Sequence, residues 1–211
     1  MRTLVDKFDK ARIAALPRAL FAGRVYVVIG EKEAEKAVDF LMTCPLLGID
    51  TETRPSFKKG QMNKVALLQV STDEVCFLFR LNRMGLPACL VRLLENKAVT
   101  KVGLSLRDDV ASLHRRADFT PQAMVDLQQY VADMGVKDMS LQKIYANVFG
   151  EKISKGQQLT NWEADSLTEG QQRYAATDAW ACVRLYRELA ALRESGDYVL
   201  ECTETAEAPQ A

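Results

Sequence analysis

A chain of 211 residues with 28 basic and 28 acidic side chains, 48% hydrophobic and 27% charged, suits one globular domain with tails and can bury a core without a disulfide or metal staple. No apolar run is long enough for a transmembrane helix, and Lys7, Lys10, Arg12 and Arg18 interrupt every apolar stretch that a signal peptide would need. Five cysteines, odd in number and without CxxC spacing, argue against a zinc cage and for a reducing compartment, so the expected localisation is cytoplasmic.

Residues 1–21 alternate basic and apolar groups and are expected to form a helix docked on the body, making 1–23 an N-terminal helical extension. Arg24–Ile29 reads as a strand ended by Gly30, and Glu31–Met42 as a helix with Ala34, Ala37, Val38 and Leu41 on one face. Leu46–Glu52 is a strand, and 55–63 a loop. Val65–Ser71 and Val75–Leu81 are strands joined by Thr72-Asp73-Glu74 into a hairpin. Pro87–Asn96 is a helix, Val99–Leu104 a strand, Leu106–Ala117 a helix and Ala123–Leu127 a short segment, followed by helices near Gln128–Met134 and Leu141–Phe149. The last helix runs from Glu169 to Arg193, with Thr168 and Gln171 as its capping box. Residues 194–211 hold five acids (Glu194, Asp197, Glu201, Glu204, Glu207) and no Lys or Arg, and read as a disordered tail. The other 193 residues carry 28 basic against 23 acidic side chains, which permits a polyanionic partner without demanding one. Three adjacent strands, then alternating strand and helix, predict an α/β fold: a mixed five- or six-stranded sheet flanked by helices on both faces.

Certain acids fall where a core is expected. In a strand, positions i and i+2 share a face, so Asp50 and Glu52 point together with Leu46 and Gly48. Two like charges so placed repel, and burial adds to the cost; a solvated strand end is the ordinary alternative. On the last helix the apolar stripe Cys182, Leu185, Leu189 extends back by fours to Asp178 and Tyr174. A buried carboxylate is costly unless paired or metal-bound, and here a structural Tyr–Asp hydrogen bond is the alternative. Asp109 falls on the face of Leu106, Val110 and Leu113, whereas Asp108 points away; a helix N-terminus favours acids in any case. Four inward carboxylates and a tyrosine are hard oxygen ligands that suit Mg²⁺ or Mn²⁺ rather than zinc. Two such ions about 3.5–4 Å apart are the usual device for in-line phosphodiester cleavage.

IDTE (49–52), GLSLRDDVASL (103–113) and YAATDA (174–179) resemble, in order and spacing, the three exonuclease motifs of the DEDD superfamily in its tyrosine-bearing branch. The resemblance runs from about Arg24 to Leu192, including TRPSF, ALLQVST, Lys155–Gln158 and Asn161-Trp162. It is nearer to the Werner-syndrome exonuclease domain and its stand-alone bacterial relatives than to full ribonuclease D. It implies a ribonuclease H-like fold over 24–193 and 3′→5′ hydrolysis of nucleic acid, DNA or RNA with a free 3′ end, to nucleoside 5′-monophosphates with two divalent cations. It also implies roles. Asp50, Glu52 and Asp178 hold the first ion, Asp50 bridges to the second, Asp109 reaches that one directly or through water, and Tyr174 positions the attacking water. Asp108 can be slid onto the motif instead; the helical face and the spacing to Leu113 choose Asp109. No membrane and no obligate protein partner is implied. The alternatives are a non-catalytic nucleic-acid-binding module of the same fold, or an endonuclease or nucleotide phosphohydrolase using the same metals.

Candidate substrate contacts are Thr51, Phe57, Lys64, Lys155 and Trp162. Lys58, Lys59 and Lys64 flank the loop after Glu52 and would meet phosphates, unless the loop is simply solvated. Phe57 or Met62 would wedge against a terminal base. Lys155 and Trp162 either line the site or fasten the last loop to the body. His114 is the one histidine, so histidine-dependent nuclease chemistry has little to work with, and no GxGxxG, Walker P-loop or HExxH occurs.

Overall fold

The structure is a computed structural model that describes residues 1–56, 58, 60 and 62–203. Phe57, Lys59, Glu204 and Glu207 lie outside the described residues. In chain order the first elements are β1 (Arg2–Val5), α1 (Lys10–Ile13), β2 (Arg24–Val28), α2 (Glu31–Leu41), β3 (Leu46–Thr53), β4 (Val65–Ser71), β5 (Val75–Phe79), α3 (Leu81–Met84) and α4 (Ala88–Leu94). There follow β6 (Thr100–Gly103), α5 (Leu106–Leu113), β7 (Met124–Asp126), α6 (Leu127–Ala132), α7 (Leu141–Phe149), α8 (Glu169–Ser195) and β8 (Tyr198–Glu201).

Six strands make the predicted mixed sheet, in the spatial order β2-β5-β4-β3-β6-β7. Only β4 runs against its neighbours; the β2–β5, β3–β6 and β6–β7 pairs are parallel. The β4–β5 hairpin closes as expected, because the Thr72 hydroxyl oxygen accepts from the backbone N–H groups of Glu74 and Val75. Every residue of β4 is buried, as a strand covered on both faces must be. On one face Leu47, Ile49, Leu68, Val70 and Phe79 pack with α2, α4 and α5. On the other, Leu67, Leu78 and Val102 meet α6, α7 and α8.

α8 crosses the sheet close to β3, and Gly48 makes that possible. A Cβ at Gly48 would lie 1.9 Å from the Ala179 carbonyl oxygen, so no larger residue lets the helix approach. The capping box is present: the Thr168 hydroxyl accepts from Gln171 N–H, and the Gln171 carboxamide oxygen accepts from Thr168 N–H.

The two ends of the chain depart from expectation. The helix predicted over 1–21 does not form. One turn, α1, is started by Asp9, whose carboxylate accepts from Ala11 N–H; the flanking residues pair elsewhere. β1 lies parallel to β8, and Arg18 bridges to Lys152. The tail read as disordered is ordered through its first part. α8 continues to Ser195, Gly196 turns the chain at φ 67°, and β8 follows. The cause is tertiary: the buried Asp6 carboxylate accepts from the Thr203 N–H and hydroxyl and pairs with Lys137 at 2.7 Å, tying both ends together. Among the described residues no helix is long and apolar enough to cross a membrane.

Candidate active site

β3 carries Asp50 and Glu52 out of the core on the side that faces α8, and α8 brings Asp178 down from above. Asp50, Glu52 and Asp178 each have a carboxylate oxygen within 4.8 Å of the other two. Glu52 and Asp178 are 8% and 7% exposed, and Asp50 is half-buried. None of these three acids, nor Asp109, forms an ion pair among the described residues. Three unpaired carboxylates, two buried and one half-buried, with converging oxygens fit a hard divalent cation.

Asp109 joins from α5 on the opposite layer. Thr51, on the other side of β3 from its two neighbours, donates its hydroxyl hydrogen bond to the Asp109 carboxylate. Asp108 is exposed and faces a separate shallow cleft with Arg107 and Asp126. The helix therefore turns Asp109 and not Asp108 toward the cluster. Tyr174, one turn before Asp178, has its ring 6.0 Å from that of Trp162. Asp50, Glu52, Asp178, Tyr174 and the exposed Lys155 line a cavity of ≈ 320 Å³, a size suited to a small ligand or one chain end; Asp109 lies behind its Thr51 wall.

The remaining sequence-predicted contacts scatter. Lys58, Lys64 and Met62 are exposed in the segment between β3 and β4; Phe57 lies outside the described residues. Trp162 is 0% exposed, in the core with Leu67, Ala175 and Ala176. It offers a substrate no surface. Instead it fastens its loop to the body beneath Tyr174, helped by the Gln171 carboxamide, which donates to the Asn161 carbonyl.

Residues 26–193 match a family model described as 3′-5′ exonuclease. The chain belongs to this 3′-5′ exonuclease family. It is 34% identical over 157 residues to the bifunctional 3′-5′ exonuclease/ATP-dependent helicase WRN of Mus musculus, covering 71% of this chain and 11% of that protein. It is 30% identical over 174 residues to a 3′-5′ exonuclease of Arabidopsis thaliana, covering 80% of this chain and 58% of that one. The chain thus spans less than two thirds of either relative. The EXO domain of Aedes aegypti Nibbler superposes with a TM-score of 0.75 at 18% identity, over 90% of this chain and 93% of that one, a likeness of fold.

In this member of the exonuclease family the site's electrostatics follow from its burial. Desolvation, then the charges of Asp109, Asp178 and Glu52, hold the Asp50 carboxyl well above the usual carboxylate range. Burial, with Asp178 and Asp109, pushes Glu52 up to about 9. Burial raises Asp178 to about 7 against the Tyr174 hydroxyl and the Lys155 charge, which pull it down. Asp109 is raised by burial to about 6, opposed by the Thr51 hydroxyl. Burial, then the charges of Asp178 and Glu52, keep the Tyr174 phenol protonated far beyond its ordinary range.

Three residues escaped sequence reasoning. The Asp126 carboxylate accepts from the backbone N–H groups of Ser105, Leu106 and Gln128, so it caps α6 and also anchors the start of α5, which carries Asp109. Ser105 there adopts φ 59°, a left-handed conformation that costs a non-glycine residue about 1–3 kcal/mol. An acid just before a helix in AMVDL was the available signal for Asp126; nothing local marked Ser105. Gln69 faces Asp50 across the β3–β4 ladder, fully buried, its carboxamide without a hydrogen-bond partner among the described residues.

Proposed function

We propose that this chain is a metal-dependent 3′→5′ exonuclease acting on nucleic-acid 3′ ends and releasing nucleoside 5′-monophosphates. One observation carries the reading: carboxylate oxygens of Asp50, Glu52 and Asp178 converge within 4.8 Å. Tyr174 supports it from the cavity wall and Asp109 from behind Thr51, which lines that wall.

Asp50, Glu52 and Asp178 would hold one cation, with Asp50 and Asp109 toward a second; all-oxygen ligands favour Mg²⁺ or Mn²⁺. When bound, a pair of such ions supplies a lowered water pKa and neutralises charge on the leaving oxygen. Water attacks the terminal phosphodiester, a P–O bond forms, and the bond to the 3′-oxygen of the preceding nucleotide breaks; that oxygen leaves as a hydroxyl after gaining a proton. Tyr174 orients the water and does not deprotonate it, since its own phenol stays protonated. Lys155 lies close enough to pull Asp178 toward its ionised form. The five unpaired cysteines suit a reducing compartment such as the cytoplasm.

A 5′-labelled oligonucleotide, as DNA and as RNA, with Mg²⁺, Mn²⁺ or chelator, tests this. Stepwise shortening from the 3′ end that requires metal and spares a circular substrate is the expected result. Binding without shortening would leave a non-catalytic module; cutting of the circle would mean an endonuclease.

A further inference from the structure

The cavity is lined by three unpaired carboxylates, and Lys155 is the cation among its lining residues. A polyanionic strand entering it meets repulsion that ions at the carboxylates offset only locally. Cations on the rim are therefore required to hold the phosphates that do not react.

One such cation comes from outside the family-matched residues. Pro17 and Ala19 pair with Lys152: Lys152 N–H donates to the Pro17 carbonyl at 2.8 Å, and Ala19 N–H donates to the Lys152 carbonyl at 2.9 Å. Two residues on, Phe21 N–H donates to the Thr177 hydroxyl of α8 at 3.1 Å. This strap holds the Arg18 backbone from both sides. Its side chain is exposed and has neither an ion pair nor a side-chain hydrogen bond among the described residues. It borders a small cleft with Leu20, Ser154, Tyr174 and Thr177, and that cleft shares Ile153, Ser154 and Tyr174 with the main cavity. Arg18 and Lys155 thus line adjoining clefts that share Ser154, and Leu20, 42% exposed, lies in the Arg18 cleft. A fixed backbone carrying a free guanidinium matches the fork geometry that phosphate binding uses.

We propose that Arg18 binds a non-reacting backbone phosphate of the substrate strand at the lip of the cavity. This rests on the exonuclease reading above. Three variants test it: Arg18→Ala, Arg18→Lys, and Lys36→Ala, which removes an exposed cation from α2 on the opposite face of the sheet. Each is assayed on a single-stranded oligonucleotide and on the p-nitrophenyl ester of thymidine 5′-monophosphate, whose only phosphodiester is the scissile one. Arg18→Ala should raise KM for the oligonucleotide several-fold and reduce its salt slope by about 0.7, the contribution of one phosphate on a single strand. Arg18→Lys should recover part of the KM, and Lys36→Ala should match wild type. Anisotropy of a labelled oligonucleotide in chelator should show the same weakening with no turnover at all. An unchanged KM and affinity, or an equal loss on the ester, overturns the assignment of Arg18. Wild-type protein that cuts neither substrate overturns the exonuclease reading instead, and takes this assignment with it.

Discussion

Each acid at the site is pushed toward its protonated form by burial, and this makes the site a liability to the metal-free fold. Where a carboxyl's folded pKa exceeds its unfolded one, the native state retains a proton that the unfolded chain has released. The associated stability is then present at low pH and lost as pH rises through the folded value. With Glu52 at about 9 and Asp178 at about 7, the Tm of metal-free protein should fall between about pH 5 and 9, and Mn²⁺ should restore it by binding the folded state. Asp50→Ala and Asp178→Ala should abolish exonuclease activity and the Tm response to Mn²⁺, while raising the metal-free Tm at pH 8. Unfolding of Asp50→Ala would instead mean that the cluster is structural. Asp109→Asn should lower activity on the order of 100-fold through a weakened metal shell, whereas the exposed Asp108→Asn stays near wild type; comparable losses in both would undo the choice of Asp109.

Between elements, the distance from β3 to α8 decides whether the acids meet at all. Gly48→Ala would drive a methyl into the Ala179 carbonyl, pushing α8, and Asp178 with it, away from Asp50. Overpacking of this kind costs about 1–3 kcal/mol, so Tm and Mn²⁺ affinity should fall together; a variant with wild-type metal affinity would show that the helix can shift without harm. Most of these elements were legible beforehand, because β3, β4 and β5 are apolar runs bounded by turn residues, and α8 has a capping box and a continuous stripe. Boundaries were less so: β5 stops at Phe79 because Leu81 enters a short helix, and α5 ends at Leu113 rather than Ala117.

At the scale of the whole molecule, β1 and β8 close the two ends of the chain over α7 and α8, with Asp6 as their shared anchor. Hydrogen bonds from Lys137 and Thr203 hold the Asp6 carboxyl well below the usual carboxylate range. Its contribution is therefore present above the ordinary carboxylate pKa and lost as pH falls below it, opposite in sense to the active-site acids. Asp6→Asn should lower Tm at neutral pH and speed proteolysis at both ends, with a smaller difference from wild type at acid pH; an unchanged Tm would mean that strand pairing alone holds the clasp. Periodicity and motif spacing in the sequence by themselves determined the mixed sheet and the long helix and marked Asp50, Glu52, Asp109, Tyr174 and Asp178 as candidates, because those signals are local and repeat with the geometry of a strand or a helix. Tertiary structure alone decided that Trp162 is core, that Asp126 anchors α5, and that β1 pairs with β8. The approach of α8 to β3 and the place of Arg18 in the cleft adjoining the cavity were settled there too. Each depends on partners in other elements, from about 20 residues away for Asp126 to well over a hundred for Gly48 and Arg18, and a burial or hydrogen bond made between elements leaves no periodic trace in either segment.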